Sequence, residues 1–176
     1  LLSPDMVKIG ALQGYLKTDQ YIQNLELERM MYLLLVKAHN EVHDGTDPET
    51  TKMMADDFHS RHDGARASSL YRRLVAFEDV DPAEAAWNRF LLADSLRLKG
   101  DMDAAMEAVA DARSAATEIE DENLIELVDL LPYQIARDDL RCDAAGEALG
   151  AFLERHPDGQ YRKQAERAFE SIRKDQ

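Results

Sequence analysis

One heptapeptide recurs in this chain with two of its residues changed, and the duplication narrows the fold before anything else is known. Asp103-Ala104-Ala105-Met106-Glu107-Ala108-Val109 returns 40 residues later as Asp143-Ala144-Ala145-Gly146-Glu147-Ala148-Leu149. Phe90 pairs with Leu130, Leu91 with Leu131 and Arg97 with Arg137 at the same offset. A shift backward lands on Asp63-Gly64-Ala65, a much weaker match. A repeat of this length is one supersecondary unit, which cannot bury its apolar face alone and so stacks on its copies. Its alanines let a partner helix approach closely while larger neighbours interlock.

The unit is helical. No stretch sustains period-two alternation, so no strand is expected. Eight Gly and five Pro punctuate long apolar-periodic stretches. Ser3-Pro4-Asp5, Thr18-Asp19, Asp47-Pro48-Glu49 and Asp81-Pro82-Ala83-Glu84 read as helix starts, and Gly100 as a stop. The expected helices cover residues 4–17, 19–43, 47–61, 64–77, 81–100, 101–119, 121–139, 143–157 and 159–174. The fold class is therefore all-α, with about nine helices. Their short turns make antiparallel hairpins. Pro132 falls inside the seventh helix; because the repeat register runs through it, a kinked continuous helix is expected there rather than a break.

The stretch Leu92-Ala93-x-x-Leu96-x-x-x-Gly100-x-x-x-x-Ala105-x-x-x-Val109-x-x-Ala112 resembles the tetratricopeptide repeat (TPR) family. The second copy resembles it through Ala136, Ala145, Leu149 and Pro157, and departs at Leu140, Pro132 and Phe152. The run from Phe152 to Tyr161 looks like an inter-repeat junction of bacterial TPR proteins. The resemblance covers roughly residues 82–174. It implies hairpins stacked as a right-handed solenoid, with TPR-like repeats and a capping helix over 81–176. Residues 1–80 form a helical N-terminal region, read as degenerate repeats. The resemblance also implies a groove lined by the first helix of each hairpin. Carried over by register, its residues are Trp87, Phe90, Asp94, Arg97 and Leu98, then Leu127, Leu130, Gln134, Arg137 and Asp138. Trp and Arg are favoured interface anchors. Packing of Trp87 and Phe90 on residues 64–77 as core is the competing use.

Charge and composition exclude several classes. The chain has 35 acidic and 21 basic residues, a net charge of −14. That is a poor surface for nucleic acid or anionic membrane. The acid is concentrated in residues 81–150, which suits steering of a basic partner as well as solubility. The longest apolar run, Met30 to Val36, is too short to span a bilayer and is expected in a helix buried on most sides. The single Cys142 excludes an intramolecular disulfide and a Cys-cluster metal site. No phosphate loop, nucleophile elbow or His-Glu-x-x-His motif is present. Neighbouring acids such as Asp56-Asp57 and Asp138-Asp139 are expected on a solvated face.

The expected function is a non-catalytic module that binds a protein or peptide partner through Trp87, Phe90, Asp94, Arg97, Gln134 and Arg137. No cofactor and no metal are expected. The alternative is a helical metal-binding protein using His39 and His43, spaced i,i+4, with His59 and His62, spaced i,i+3. A third reading, suggested by a start without Met, is a sensor or regulatory fragment of a larger protein. A cytoplasmic location is slightly favoured over a periplasmic one.

Overall fold

The computed structural model describes residues 18–41 and 47–174; the expected helix over 4–17 and the expected ligand His43 lie outside them. The described residues form eight α-helices and no strand. They are α1 (Thr18–Asn40), α2 (Pro48–Ser60), α3 (Gly64–Val75), α4 (Pro82–Lys99), α5 (Met102–Glu118), α6 (Glu122–Asp138), α7 (Cys142–Arg155) and α8 (Arg162–Lys174).

Local chemistry sets these bounds. Asp47 and Asp81 cap α2 and α4, each with Pro at the first turn, and their carboxylates accept the orphan amides of Thr50 and of Ala83 and Glu84. Asp63 and Asp121 do the same for Arg66 and Leu124. Asp101 precedes α5 but makes no capping bond, and α7 starts at Cys142 after an uncapped Arg141 rather than at Asp143. α6 runs unbroken through Pro132. The ring removes the bond that its N–H would give to Val128, four residues back.

A single turn recurs between helices. α2, α4, α5 and α6 each end in one left-handed residue, His62 (φ 62°), Gly100 (φ 85°), Glu120 (φ 54°) and Leu140 (φ 57°). The next amide closes the helix end each time: Asp63 N to Phe58 O, Asp101 N to Leu96 O, Asp121 N to Ala116 O and Arg141 N to Ala136 O, at 2.8–3.2 Å. The residues that follow repeat as well. Ala67, Ala105 and Ala145 are buried at matching places in α3, α5 and α7, as are Tyr71, Val109 and Leu149. Gly64 lets α3 start hard against the end of α4. A Cβ there would lie 2.4 Å from the Lys99 N and 2.5 Å from the Ser95 O, where only backbone could give way.

From α2 onward each helix packs on the next in the chain, and α4 also packs on α6. The core is in three parts. One joins α4, α5 and α6 around Leu96, Val109, Val128 and Ile135. One lies between α2 and α3 around Phe58, Leu70 and Tyr71. The last joins α7 and α8 around Leu149, Phe152 and Ala165.

α1 touches the second of these through Tyr32, Leu35 and Val36 alone of its apolar residues. Leu25 is partly buried, and Tyr21, Ile22, Leu27, Met30, Met31, Leu33 and Leu34 are exposed. The expectation that this run is buried on most sides is thus wrong for the described residues. One face of α1 meets the body, and no described residue covers the other. No described helix is long and apolar enough to cross a membrane.

Candidate functional site

A line of paired charges crosses α2, α4 and α6. Asp94 and Arg97 sit three residues apart on α4, so they share a face and bond directly, Arg97 Nε donating to Asp94 Oδ1 at 2.8 Å. From α2, His59 Nε2 lies 2.8 Å from Asp94 Oδ2. Toward α6, Arg97 Nη1 donates to Asp138 Oδ2. Arg137 then donates to Asp138 Oδ1 through Nη2 at 3.0 Å. The middle of the line is sheltered, with Asp94 14% and Arg97 13% exposed. Burial pushes the Asp94 carboxyl up. The hydrogen bonds and charges of His59 and Arg97 outweigh it and hold the group below its ordinary value.

The outer end is open. The Arg137 side chain is 55% exposed, and its guanidinium lies 5.6 Å from the centre of the Tyr133 ring, a cation–π distance. Burial lowers its pKa, but the bond and charge of Asp138 more than offset this and raise it.

The structure distributes the sequence-derived groove residues over two adjoining helices. Trp87, Phe90, Asp94, Arg97 and Leu98 are partly buried on α4. Leu127, Leu130 and Gln134 are partly buried on α6, and Arg137 and Asp138 are exposed at its end. Trp87 and Phe90 meet edge to face, with centroids 5.7 Å apart. They pack against the α4–α5–α6 core rather than against residues 64–77. Arg97 and Arg137 do not present two open guanidiniums. Arg97 is held between two carboxylates, and only Arg137 reaches solvent.

The histidines separate. His39 Nε2 lies 3.2 Å from Ser69 Oγ, and its ring edges onto Phe58. His59 belongs to the charge line, and His62 occupies the left-handed turn position after α2. Among the described residues, no group of three or more His, Cys, Asp or Glu side chains is placed to hold a metal ion.

The neighbouring acids are not merely solvated, because each has a cation. Asp56 pairs with Lys52, Asp57 with Arg61, Asp138 with Arg97 and Arg137, and Asp139 with Arg141. Asp56 also accepts the Tyr71 hydroxyl at 2.6 Å. Burial and that carboxylate drive the phenol pKa far up. Cys142 is exposed at the first turn of α7.

Two features escaped the sequence. His59 was paired by spacing with His62, yet its partner is Asp94, on another helix. Asp129 on α6 is 3% exposed, with Arg113 of α5 at 3.1 Å, Arg155 of α7 at 2.6 Å and His156 at 2.8 Å. It clamps three consecutive helices around one carboxylate. No local spacing marks such a cluster, since its members meet only after α5, α6 and α7 pack. Comparison with known proteins finds no matching family model, no matching curated protein and no matching solved structure.

Proposed function

We propose that the chain is a non-catalytic binding module, a TPR-like right-handed stack that holds a peptide or protein segment across α4 and α6. In this reading α2–α3, α4–α5 and α6–α7 are successive hairpins, and α8 is the cap. The matched buried alanines Ala67, Ala105 and Ala145, one in the second helix of each pair, support that grouping. The N-terminal region then contributes one degenerate repeat. The observation that carries the function is the α4–α6 face, where the half-buried Trp87–Phe90 pair adjoins an ordered row of charge ending in an open Arg137. A half-buried aromatic pair two to three turns before Arg97 on α4, with an arginine positioned by Asp138 and Tyr133 at the open end of the charge row, offers anchor groups with little ordering left to do. Arg97 and Asp94 position that face, and Gln134 and Arg137 contact the partner.

The test is affinity capture with mass spectrometry, comparing the wild-type chain with an Arg137→Ala/Gln134→Ala variant. Arg137 is exposed, so the variant should melt within a degree or two of wild type, at a cost of about 0.5 kcal/mol. A partner held on this face should lose about tenfold or more in affinity. A partner retained at wild-type affinity would move the binding face elsewhere. Arg97→Ala is a poorer probe. It strips a sheltered Asp94 of one of its two side-chain hydrogen-bond partners and should destabilise the fold as well.

A further inference from the structure

α1 carries a second apolar stripe on the side away from the body. Leu27, Met30, Met31 and Leu34 are 53%, 54%, 52% and 56% exposed, while Tyr32, Leu35 and Val36 on the other side meet the core. A helix with one apolar face needs one partner surface. This helix has two such faces, and the described residues supply a partner for one.

The stripe is also symmetric in sequence. Its spacings of three, one and three residues read the same from either end, about a point between Met30 and Met31. Gln23 and Ala38, both exposed, extend the symmetry outward. A surface that maps onto itself under a two-fold rotation is the requirement for an isologous contact. Laid antiparallel against an identical helix about that point, Leu27 faces Leu34 of the second copy. Met30 faces Met31, and Gln23 faces Ala38.

Charge agrees with that pairing. Glu26 and Lys37 are both exposed and eleven residues apart, about three turns, so they lie on the same flank of the stripe. Neither takes part in an ion pair among the described residues. In an antiparallel pair like flanks face each other, so Glu26 falls beside Lys37 of the second copy, twice per dimer. A parallel pair sets unlike flanks together, so Glu26 and Lys37 would lie across the seam from neither of their copies and the pairing would be lost.

From these observations we infer that a second copy of this chain covers the outer face of α1, giving a two-fold dimer joined by antiparallel α1 helices. The contact involves a single helix from each copy, so it lies at the small end of specific interfaces and the dimer dissociates on dilution. The face proposed for partner binding, on α4 and α6, stays open in this dimer, and the two readings stand or fall separately.

Sedimentation equilibrium over a range of protein concentrations tests the inference. Wild type should show a reversible monomer–dimer equilibrium. Leu27→Lys/Leu34→Lys should be monomeric throughout, with unchanged helicity and melting when dilute. Glu26→Lys or Lys37→Glu alone should weaken the dimer about threefold to tenfold, and the double exchange should restore it. Crosslinking in a Cys142→Ser background provides the orientation without depending on stability. A mixture of Leu27→Cys and Leu34→Cys chains should oxidise to the mixed dimer. Predominant Leu27→Cys self-crosslinking would overturn the antiparallel geometry. A wild-type monomer at every concentration would overturn the dimer, and loss of monomer stability in Leu27→Lys/Leu34→Lys would then assign the stripe to another segment of the same chain.

Discussion

Leu140 is a branched apolar residue, 85% exposed, in a left-handed conformation that Gly100 adopts freely at the matching turn. An L-residue with a Cβ is strained there, and glycine is not. Leu140→Gly should therefore stabilise the chain by about 0.5–1 kcal/mol in chemical denaturation, the relief of strain exceeding the added flexibility of the unfolded chain. The same turn explains a limit of sequence reading. The missing glycine at Leu140 looked like a departure from the repeat, yet the backbone keeps the turn and accepts the strain. Asp94 gives a second test at this scale. Its folded pKa lies below the ordinary 3.8, so the folded state holds the ionised form more strongly than the unfolded state does. The stability it contributes is fully present above 3.8 and is lost as pH falls from there through the folded value. Asp94→Asn should lower stability at neutral pH and flatten its decline in acid below 3.8, as read by denaturation at a series of pH values.

The repeat makes a claim about elements. Ala105 and Ala145 are 0% and 2% exposed, and Ala67 at the corresponding place in α3 is 0% exposed. Replacing Ala105 or Ala145 by Leu should overpack a helix crossing and cost about 1–3 kcal/mol each. Denaturation midpoints unchanged in both variants would show that the two sites are not equivalent crossings. Helix positions were largely legible in the sequence because their causes are local: Asp-Pro starts at 47 and 81, an Asp cap at 121, a Gly stop at 100. Copies after α3 were legible because one 40-residue offset links them. The α2–α3 hairpin was faint for a physical reason. Its turn at His62-Asp63 lies 38 residues before Gly100-Asp101, whereas Leu140-Arg141 lies 40 after it, so a scan at one offset misses it. The charge line was illegible beyond Asp94 and Arg97. Whether His59 meets Asp94, or Arg97 meets Asp138, depends on how the helices are rotated against one another, which no local spacing records.

At the scale of the molecule, the core is divided rather than shared. The α4–α5–α6 cluster holds the middle, with smaller clusters at α2–α3 and α7–α8. Stability in such an arrangement is graded along the chain. Native-state hydrogen exchange should find the slowest amides around Leu96, Val109 and Val128 and the fastest in α1, which meets the body along one face only. Uniform protection from α1 to α8 would contradict this division. The order of packing also decides how the protein bears load. Because each helix from α2 on leans mainly on its chain neighbours, tension applied between the ends meets one small cluster at a time. Extension should proceed in steps, each freeing one hairpin of some 40 residues, roughly 130–140 Å of chain when drawn straight. The middle cluster would yield last, so the chain behaves as a graded spring with its stiffest coil at the centre.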